Sequence, residues 1–537
     1  MALLPGGRHR KGRRPLTLHP GPASPASTPP SEATAAGIRQ IRGSSLLLVG
    51  RLLALAMTFL TQILIVRYLT KSEYGAFAYA LSLVTLGESL VSLGLNRAHT
   101  RFLSIYDERR DYARLFGTIL MVAATILSLG LTLFLLVYGL QGWLAGVLIS
   151  DTQAIWLLVI LIALSPLQAL DQLLMGAFAV LDNPRAIFFR THVLAPVLRL
   201  GVVLLLVLGR QPVSFLAVGY VATGAVGTLL FALVLARLLR ARGYMAHFRL
   251  RKVELPFRPL FGFALPLLTT DLVYVVMNSF DAVLLGRYRG TVEVAAFRAV
   301  QPLANLNIVV FTSFTLLFLP LASRLYERDD REGIQDLYWQ TAVWIAILTF
   351  PVFAVTFALA EPTTVLLFGA RYADSGTYLA LLALGSYFQA ALGFNGLTIQ
   401  VFGRLRYTVT INLVAVVYNA AVNLVLIPRY GALGAAVGTC SALVVHNLLK
   451  QVGLGLGTGI AMLDRRYVRV YLTVAAGALA LWVVSLLVSP PAVVGLGLAA
   501  VVSAGVLGVN RGLLQLGRVF PEISRLPVVG PLISGKQ

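Results

Sequence analysis

Polar residues in this chain fall at set places inside long apolar runs, and the places repeat. Residues 116–138, 155–181, 213–236 and 470–488 are apolar stretches long enough, at ~1.5 Å per residue, to cross ~30 Å of hydrocarbon. Strand-like alternation is not sustained, so the pattern predicts helices. About fourteen spans are expected, beginning near residues 44, 75, 115, 153, 186, 213, 259, 292, 337, 376, 407, 432, 469 and 492. Arg67-Tyr68 recurs as Arg287-Tyr288 and Tyr106 as Tyr326, each 220 residues further on. Thr58, His192 and Arg199 map onto Asn278, Asn412 and Asn419 at the same spacing of 220. Late in the repeat the spacing slips to 219, where Val218-Gly219 becomes Val437-Gly438. A repeat of this kind predicts two homologous bundles, related by a pseudo-two-fold axis and facing across a polar cleft, which is a transporter's architecture.

The expected organisation is an all-α integral membrane protein. Residues 1–43 read as a disordered basic tail, 44–239 as a six-helix bundle, and 240–258 as a basic linker. Residues 259–457 form a second six-helix bundle, 458–514 an appended pair of helices, and 515–537 a tail. The amino-terminal stretch lacks the apolar core and cleavage site of a signal peptide.

Composition agrees: 58% of residues are apolar and 12% charged, and the mean hydropathy is +0.82, values that a polar surface in water cannot cover. Segments expected on the cytoplasmic side hold 33 Lys/Arg and those outside hold 7, with Arg51, Arg97, Arg199 and Arg298 within spans. That bias places both termini in the cytoplasm. It also explains the net charge of +22 without nucleic acid, because basic loops meet anionic lipid headgroups. A single cysteine, Cys440, excludes an internal disulfide or a cysteine metal cluster. Loops are short, and neither G-x-S-x-G, H-E-x-x-H nor a Walker sequence occurs, so an enzyme is not expected, nor a cofactor or metal. The run Gly453-x-Gly455-x-Gly457-x-Gly459 follows an apolar helix and reads as a flexible exit.

Within the spans, polar residues share helical faces. Arg51, Thr58 and Gln62 form one stripe, and Asp271, Asn278 and Asp281 repeat it in span 7. Span 2 carries Thr85, Glu88, Ser92, Asn96 and His99; span 8 carries Arg298, Gln301, Asn305 and Thr312; span 11 carries Asn412, Asn419 and Asn423. A charge at the helix centre costs ~2.5 to 3.5 kcal/mol on insertion scales, so these stripes are expected to face water or partners. For Ser, Thr and isolated Asn, helix-helix contact is the simpler role. Arg51, Arg199, Asp271 and Asp281 are the functional candidates, while Arg298 and Arg97 lie near span ends, within reach of the interface. Glu88 and Asp171 suit either proton or cation sites or buried partners of arginines. Gly434-x-x-x-Gly438 is a small-residue packing motif, and Pro166, Pro196, Pro266 and Pro302 are expected to kink their helices.

Two stretches carry a family resemblance. The first is Val66-Arg67-Tyr68-Leu69-Thr70-Lys71-Ser72-Glu73-Tyr74-Gly75, followed by Gly94-Leu95-Asn96-Arg97. The second is Gly403-Arg404-Leu405-Arg406, then Pro428-Arg429-Tyr430-Gly431-Ala432. Together they resemble the polysaccharide and O-antigen flippases of the multidrug/oligosaccharidyl-lipid/polysaccharide exporter superfamily. The resemblance, from about residue 44 to 511, implies a pair of bundles in the inner membrane that flips a polyprenyl-pyrophosphate-linked oligosaccharide by alternating access. It implies cavity arginines, for which Arg51, Arg199 and Arg298 are candidates, with Asn278 and Asn419 beside them as substrate-binding positions. Asp271, Asp281, Glu88 and Asp171 are assigned to gating or ion coupling. Implied partners are the lipid-linked substrate, membrane lipids, and a polysaccharide polymerase or assembly proteins. The in-span charges balance, so a cation-coupled drug antiporter of the same superfamily stays open. So does a membrane subunit of a polysaccharide-assembly complex that does not transport.

Overall fold

A computed structural model describes residues 31–147, 151–249, 251, 253–488 and 490–514; the side chains of 31–49, 266, 267, 269–278, 316, 317, 405 and 514 fall outside the description. Every regular element among the described residues is helical. In order these are α1 (Ser31–Tyr68), α2 (Lys71–Ser92), α3 (Leu95–Glu108), α4 (Tyr112–Gly139), α5 (Gln141–Val147), α6 (Thr152–Leu161), α7 (Leu164–Val180), α8 (Pro184–Phe189), α9 (Ala195–Leu208) and α10 (Val213–Ala241). There follow α11 (Phe257–Arg289), α12 (Thr291–Asn305), α13 (Val309–Glu327), α14 (Arg331–Phe353), α15 (Ala360–Phe368), α16 (Ser375–Ala391), α17 (Asn395–Val401), α18 (Leu405–Thr458), α19 (Val468–Val488) and α20 (Ala492–Leu514).

Residues 1–52 and 53–537 form separate units. The first is described from Ser31, where α1 begins, ahead of the start expected near 44. The helix formers Ala33, Ala35, Ala36 and Gln40 extend it beyond the apolar run. The expected tails at 1–30 and 515–537 lie outside the described residues. All that follows concerns the second unit.

Twelve helical segments among the described residues are long and apolar enough to cross a membrane. The longest, Arg406–Thr458, has 53 residues, roughly twice what one crossing needs, and breaks at Gly431, whose φ of 58° and ψ of −134° are not helical. The 33-residue α11 is not one of the twelve.

α2 is the hub, packing on α6 and α7 of its own half and on α11 and α12 of the other. Backbone contact there depends on missing side chains: a Cβ on Gly75 would lie 1.8 Å from the Thr291 carbonyl oxygen, and one on Gly286 would lie 2.2 Å from the Tyr79 ring. One buried core accordingly runs through both halves, from Ile65, Tyr79 and Leu158 to Phe297, Tyr372 and Ile427. A second core, around Phe178 and Phe231, also takes in Leu260 and Ala264 of α11. A third, around Phe350 and Tyr387, takes in Leu481 of α19 and Ala499 of α20. The turn leading into α19 is set by Asp464, which accepts from the Arg466 backbone N–H at 2.9 Å and from its guanidinium at 2.6 Å. Those bonds hold the Asp464 carboxyl below its ordinary range.

Candidate functional site

The first half holds a cavity between α7, α9, α10 and the π-turn Arg190–Leu194 that links α8 to α9. Its polar wall is Gln168, Asp171, Arg190, Arg199, Tyr220 and Thr223. The π-turn has a local cause, since Pro196 brings no N–H to the start of α9 and the helix widens before it. The buried Arg190 Nε donates to Asp171 Oδ1 at 2.8 Å, and its guanidinium stands 5.8 Å from the Phe231 ring centre. Gly227 makes the room, because a Cβ there would come within 2.9 Å of an Arg190 nitrogen. Arg199 opens onto the cavity and lies over the Tyr220 ring at 5.7 Å.

Tyr220 connects this cavity to α2. Its ring meets Phe77 of α2 edge-on at 5.2 Å. Tyr74 accepts from Gln62 Nε2 at 2.6 Å and lies within reach of the Arg298 charge. Arg298 in turn donates to Gln301 Oε1 at 2.6 Å. Arg199 stacked on Tyr220, Gln62 bonded to Tyr74, and Arg298 bonded to Gln301 are thus three polar groupings in the membrane-spanning region.

Beyond Arg298 lies a buried carboxylate whose field acts on it, Asp281. Its Oδ2 accepts from Thr439 Oγ1 at 2.8 Å, and its Oδ1 accepts from Asn423 Nδ2. The same Asn423 amide nitrogen donates to Asn419 Oδ1 at 3.2 Å. Gly438 leaves space for Asn423: a Cβ on it would fall 2.0 Å from Asn423 Oδ1. The small-residue motif therefore packs the two legs of α18 closely around the hydrogen-bonded Asp281.

Of the predicted residues, Arg199 and Asp171 meet in the first cavity, and Arg298, Asp281 and Asn419 meet in the second half. Asp171 is an arginine partner, and its charge also bears on the half-buried Glu88. Arg51 is exposed and belongs to residues 1–52, and the side chains of Asp271 and Asn278 lie outside the description. Sequence reasoning missed Arg190, which it placed in a cytoplasmic loop; the unpaired Asp171 in the preceding span was the available signal. It also missed Tyr74 and Tyr220, which periodicity cannot separate from core aromatics.

At one end the halves are tied together. Arg67, in the last turn of α1, donates to the carbonyls of Leu366 and Leu367 at 2.6 and 2.8 Å, in the last turn of α15. Arg371 donates back to the carbonyls of Leu69 and Arg67 at 2.7 and 3.0 Å, and to that of Val66. Each arginine thus satisfies carbonyls that the end of the other's helix leaves without partners. Beside them Thr291 Oγ1 donates to Asp151 Oδ2 at 2.8 Å. The first resemblance stretch builds this end, since Thr70 and Glu73 form a capping box at the start of α2, with bonds of 3.2 and 2.9 Å.

A helical membrane protein with twelve apolar segments among the described residues and a polar cavity among its helices has the build of a transporter. The chain belongs to the polysaccharide biosynthesis protein family, whose model matches residues 41–326, within the multidrug/oligosaccharidyl-lipid/polysaccharide exporter superfamily; the MatE family model matches residues 266–425. Over 340 residues the chain is 26% identical to the succinoglycan biosynthesis transport protein ExoT of Rhizobium meliloti, covering 61% of this chain and 62% of that one. Over 188 residues it is 24% identical to an uncharacterized membrane protein of Methanocaldococcus jannaschii, covering 34% of this chain and 36% of the other. The chain therefore spans less than two thirds of either relative. In fold it is similar to the lipid II flippase MurJ in an inward closed conformation, with a TM-score of 0.69 at 14% identity over 87% of this chain and 99% of that one. A multidrug resistance MATE family transporter in an inward-facing conformation gives 0.55 at 14% identity, over 74% and 98%.

Proposed function

We propose that the protein flips a polyprenyl-pyrophosphate-linked oligosaccharide across the cytoplasmic membrane by alternating access, for cell-surface polysaccharide synthesis. The observation that carries the reading is the cavity where Arg190, Arg199 and Tyr220 meet, with Arg199 over the Tyr220 ring at 5.7 Å. Guanidinium groups fit phosphate oxygens with paired donors, and phenols add hydrogen bonds to the same oxygens. By the Lys/Arg bias, the end tied by Arg67 and Arg371 faces outside, so the substrate is taken up from the cytoplasmic leaflet. Asp281 with Asn419, Asn423 and Thr439 supplies a cation or proton site that couples to Arg298 through charge. A polysaccharide polymerase or assembly protein receives the glycan outside.

The buried carboxylate of Asp281 also suits a cation-coupled drug antiporter. The first cavity favours the flippase, because it sets two arginines against one carboxylate that Arg190 already neutralises. An organic cation would meet a positive wall there. A subunit that does not transport has no use for this polar cavity. The test is Arg199→Ala and Arg199→Lys in a flippase-deficient strain, with protein level and complementation measured together. Under the proposal the alanine variant reaches normal abundance and loses flipping, while lysine retains part of it. Full complementation by Arg199→Ala at normal abundance would falsify the proposal.

A further inference from the structure

In the first half one cation within the helices, Arg190, is neutralised by Asp171 and rests against Gly227 and Phe231. Carried through the repeat, Asp171 falls on Ala391 at 220, while Gly227 and Phe231 fall on His446 and Lys450 at the late spacing of 219. The second half thus brings its cation from a different helix, and alanine stands where the carboxylate was. Among the described residues no carboxylate makes an ion pair with Lys450.

Lys450 is half-buried in α18, eight residues before the helix ends at Thr458. Its side chain lies along Gly396: a Cβ there would stand 3.4 Å from Cδ and Cε and 3.7 Å from Nζ. Gly396 is itself seven residues, roughly 10 Å, short of the turn at Gly403. The ammonium therefore points along the protein and does not snorkel to the loop. His446 is one turn away on the same face, and its Nε2 is 2.9 Å from Asn412 Oδ1, which leaves the Asn412 amide nitrogen to donate. A cation placed beside two further polar groups, with no carboxylate paired to it among the described residues, is suited to hold an anion.

We propose that Lys450, with His446 and Asn412, binds the phosphate of a phosphate-bearing lipid. Lysine offers a point charge with three donors, suited to a phosphate approached from varied angles. The site goes beyond the flipping reading and holds whether or not that reading does.

The experiment uses the full chain purified in detergent, titrated separately with phosphatidylglycerol and with a polyprenyl diphosphate, and read by native mass spectrometry. Lys450→Gln is expected to weaken binding of the occupying lipid by roughly tenfold, the worth of one charge-assisted hydrogen bond, and Lys450→Arg to retain most of it. Gly396→Leu, which fills the space beside the ammonium and keeps the charge, should weaken it as well. Loss confined to phosphatidylglycerol identifies a bilayer lipid, and loss confined to the polyprenyl diphosphate identifies the carrier. Wild-type binding of both lipids by Lys450→Gln overturns the proposal. Arg199→Ala separates the two readings, since it should weaken the polyprenyl diphosphate alone if flipping runs through Arg199, and neither lipid at Lys450.

Discussion

Arg190 and Asp171 are each costly without the other, and the pair as a whole contributes little net stability. Removing one partner of a buried pair leaves a charge without compensation, a cost of about 3–5 kcal/mol, whereas replacing both by apolar groups is often neutral. Asp171→Ala should accordingly lower the amount of folded protein, and Asp171→Ala with Arg190→Leu should recover most of it while transport stays impaired. Thermal unfolding of the purified variants checks this, and strictly additive losses would show that the 2.8 Å contact carries no coupling. The same pair marks where residue-scale reading stopped. A lone aspartate or arginine in mid-span is conspicuous, so Asp171, Arg199 and Asp281 could be picked out by depth. Arg190 and Lys450 sit near span ends, where a basic residue resembles loop charge, and only the packing of Gly227 and Gly396 against them shows that they are inside.

At the scale of elements, the apolar runs were legible because lipid requires every crossing segment to satisfy its own backbone as a helix. The interruptions were less so. The π-turn at Arg190–Leu194 and the 3-10 turn at Leu306–Ile308 follow Pro184 and precede Pro196 in one case and follow Pro302 in the other, but a proline does not specify which turn forms. The break in α18 is the sharpest instance: Pro428 announces it, and Gly431 makes it with φ 58°. That backbone is open to glycine and strained for other residues. The second leg then starts with Glu293 Oε2 accepting from the Ala432 N–H at 2.8 Å. A methyl group on Gly431 would lie 2.8 Å from that same oxygen. Gly431→Ala should therefore destabilise the protein by about 1–3 kcal/mol, seen as a lower unfolding temperature in detergent. An unchanged midpoint would mean that the break relaxes freely.

The whole molecule is poised by where its halves are joined. Among the described residues, hydrogen bonds between them gather at the end bearing Arg67, Asp151, Thr291 and Arg371, while α3 and α11 meet by packing, with Arg101 over the Phe263 ring at 4.4 Å. Opening that end must break the reciprocal bonds of Arg67 and Arg371 with the helix ends, so these residues set the balance between states. A charged donor bond contributes about 1.5–3 kcal/mol when partly shielded, and 1.4 kcal/mol shifts a two-state population about tenfold. The test uses Cys440→Ser with a single cysteine introduced by Thr223→Cys in the first cavity, labelled by a membrane-impermeant maleimide. In intact cells the tied protein should label slowly, and Arg67→Ala with Arg371→Ala should raise the rate by roughly tenfold; each single substitution should give only part of the gain, because each arginine holds the other's helix end. Inside-out vesicles fix the orientation, since a cavity open to the cytoplasm labels faster there. Equal rates in cells with and without the two arginines would show that the tie does not control access, and faster labelling of the tied protein in cells than in inverted vesicles would turn the assigned orientation over.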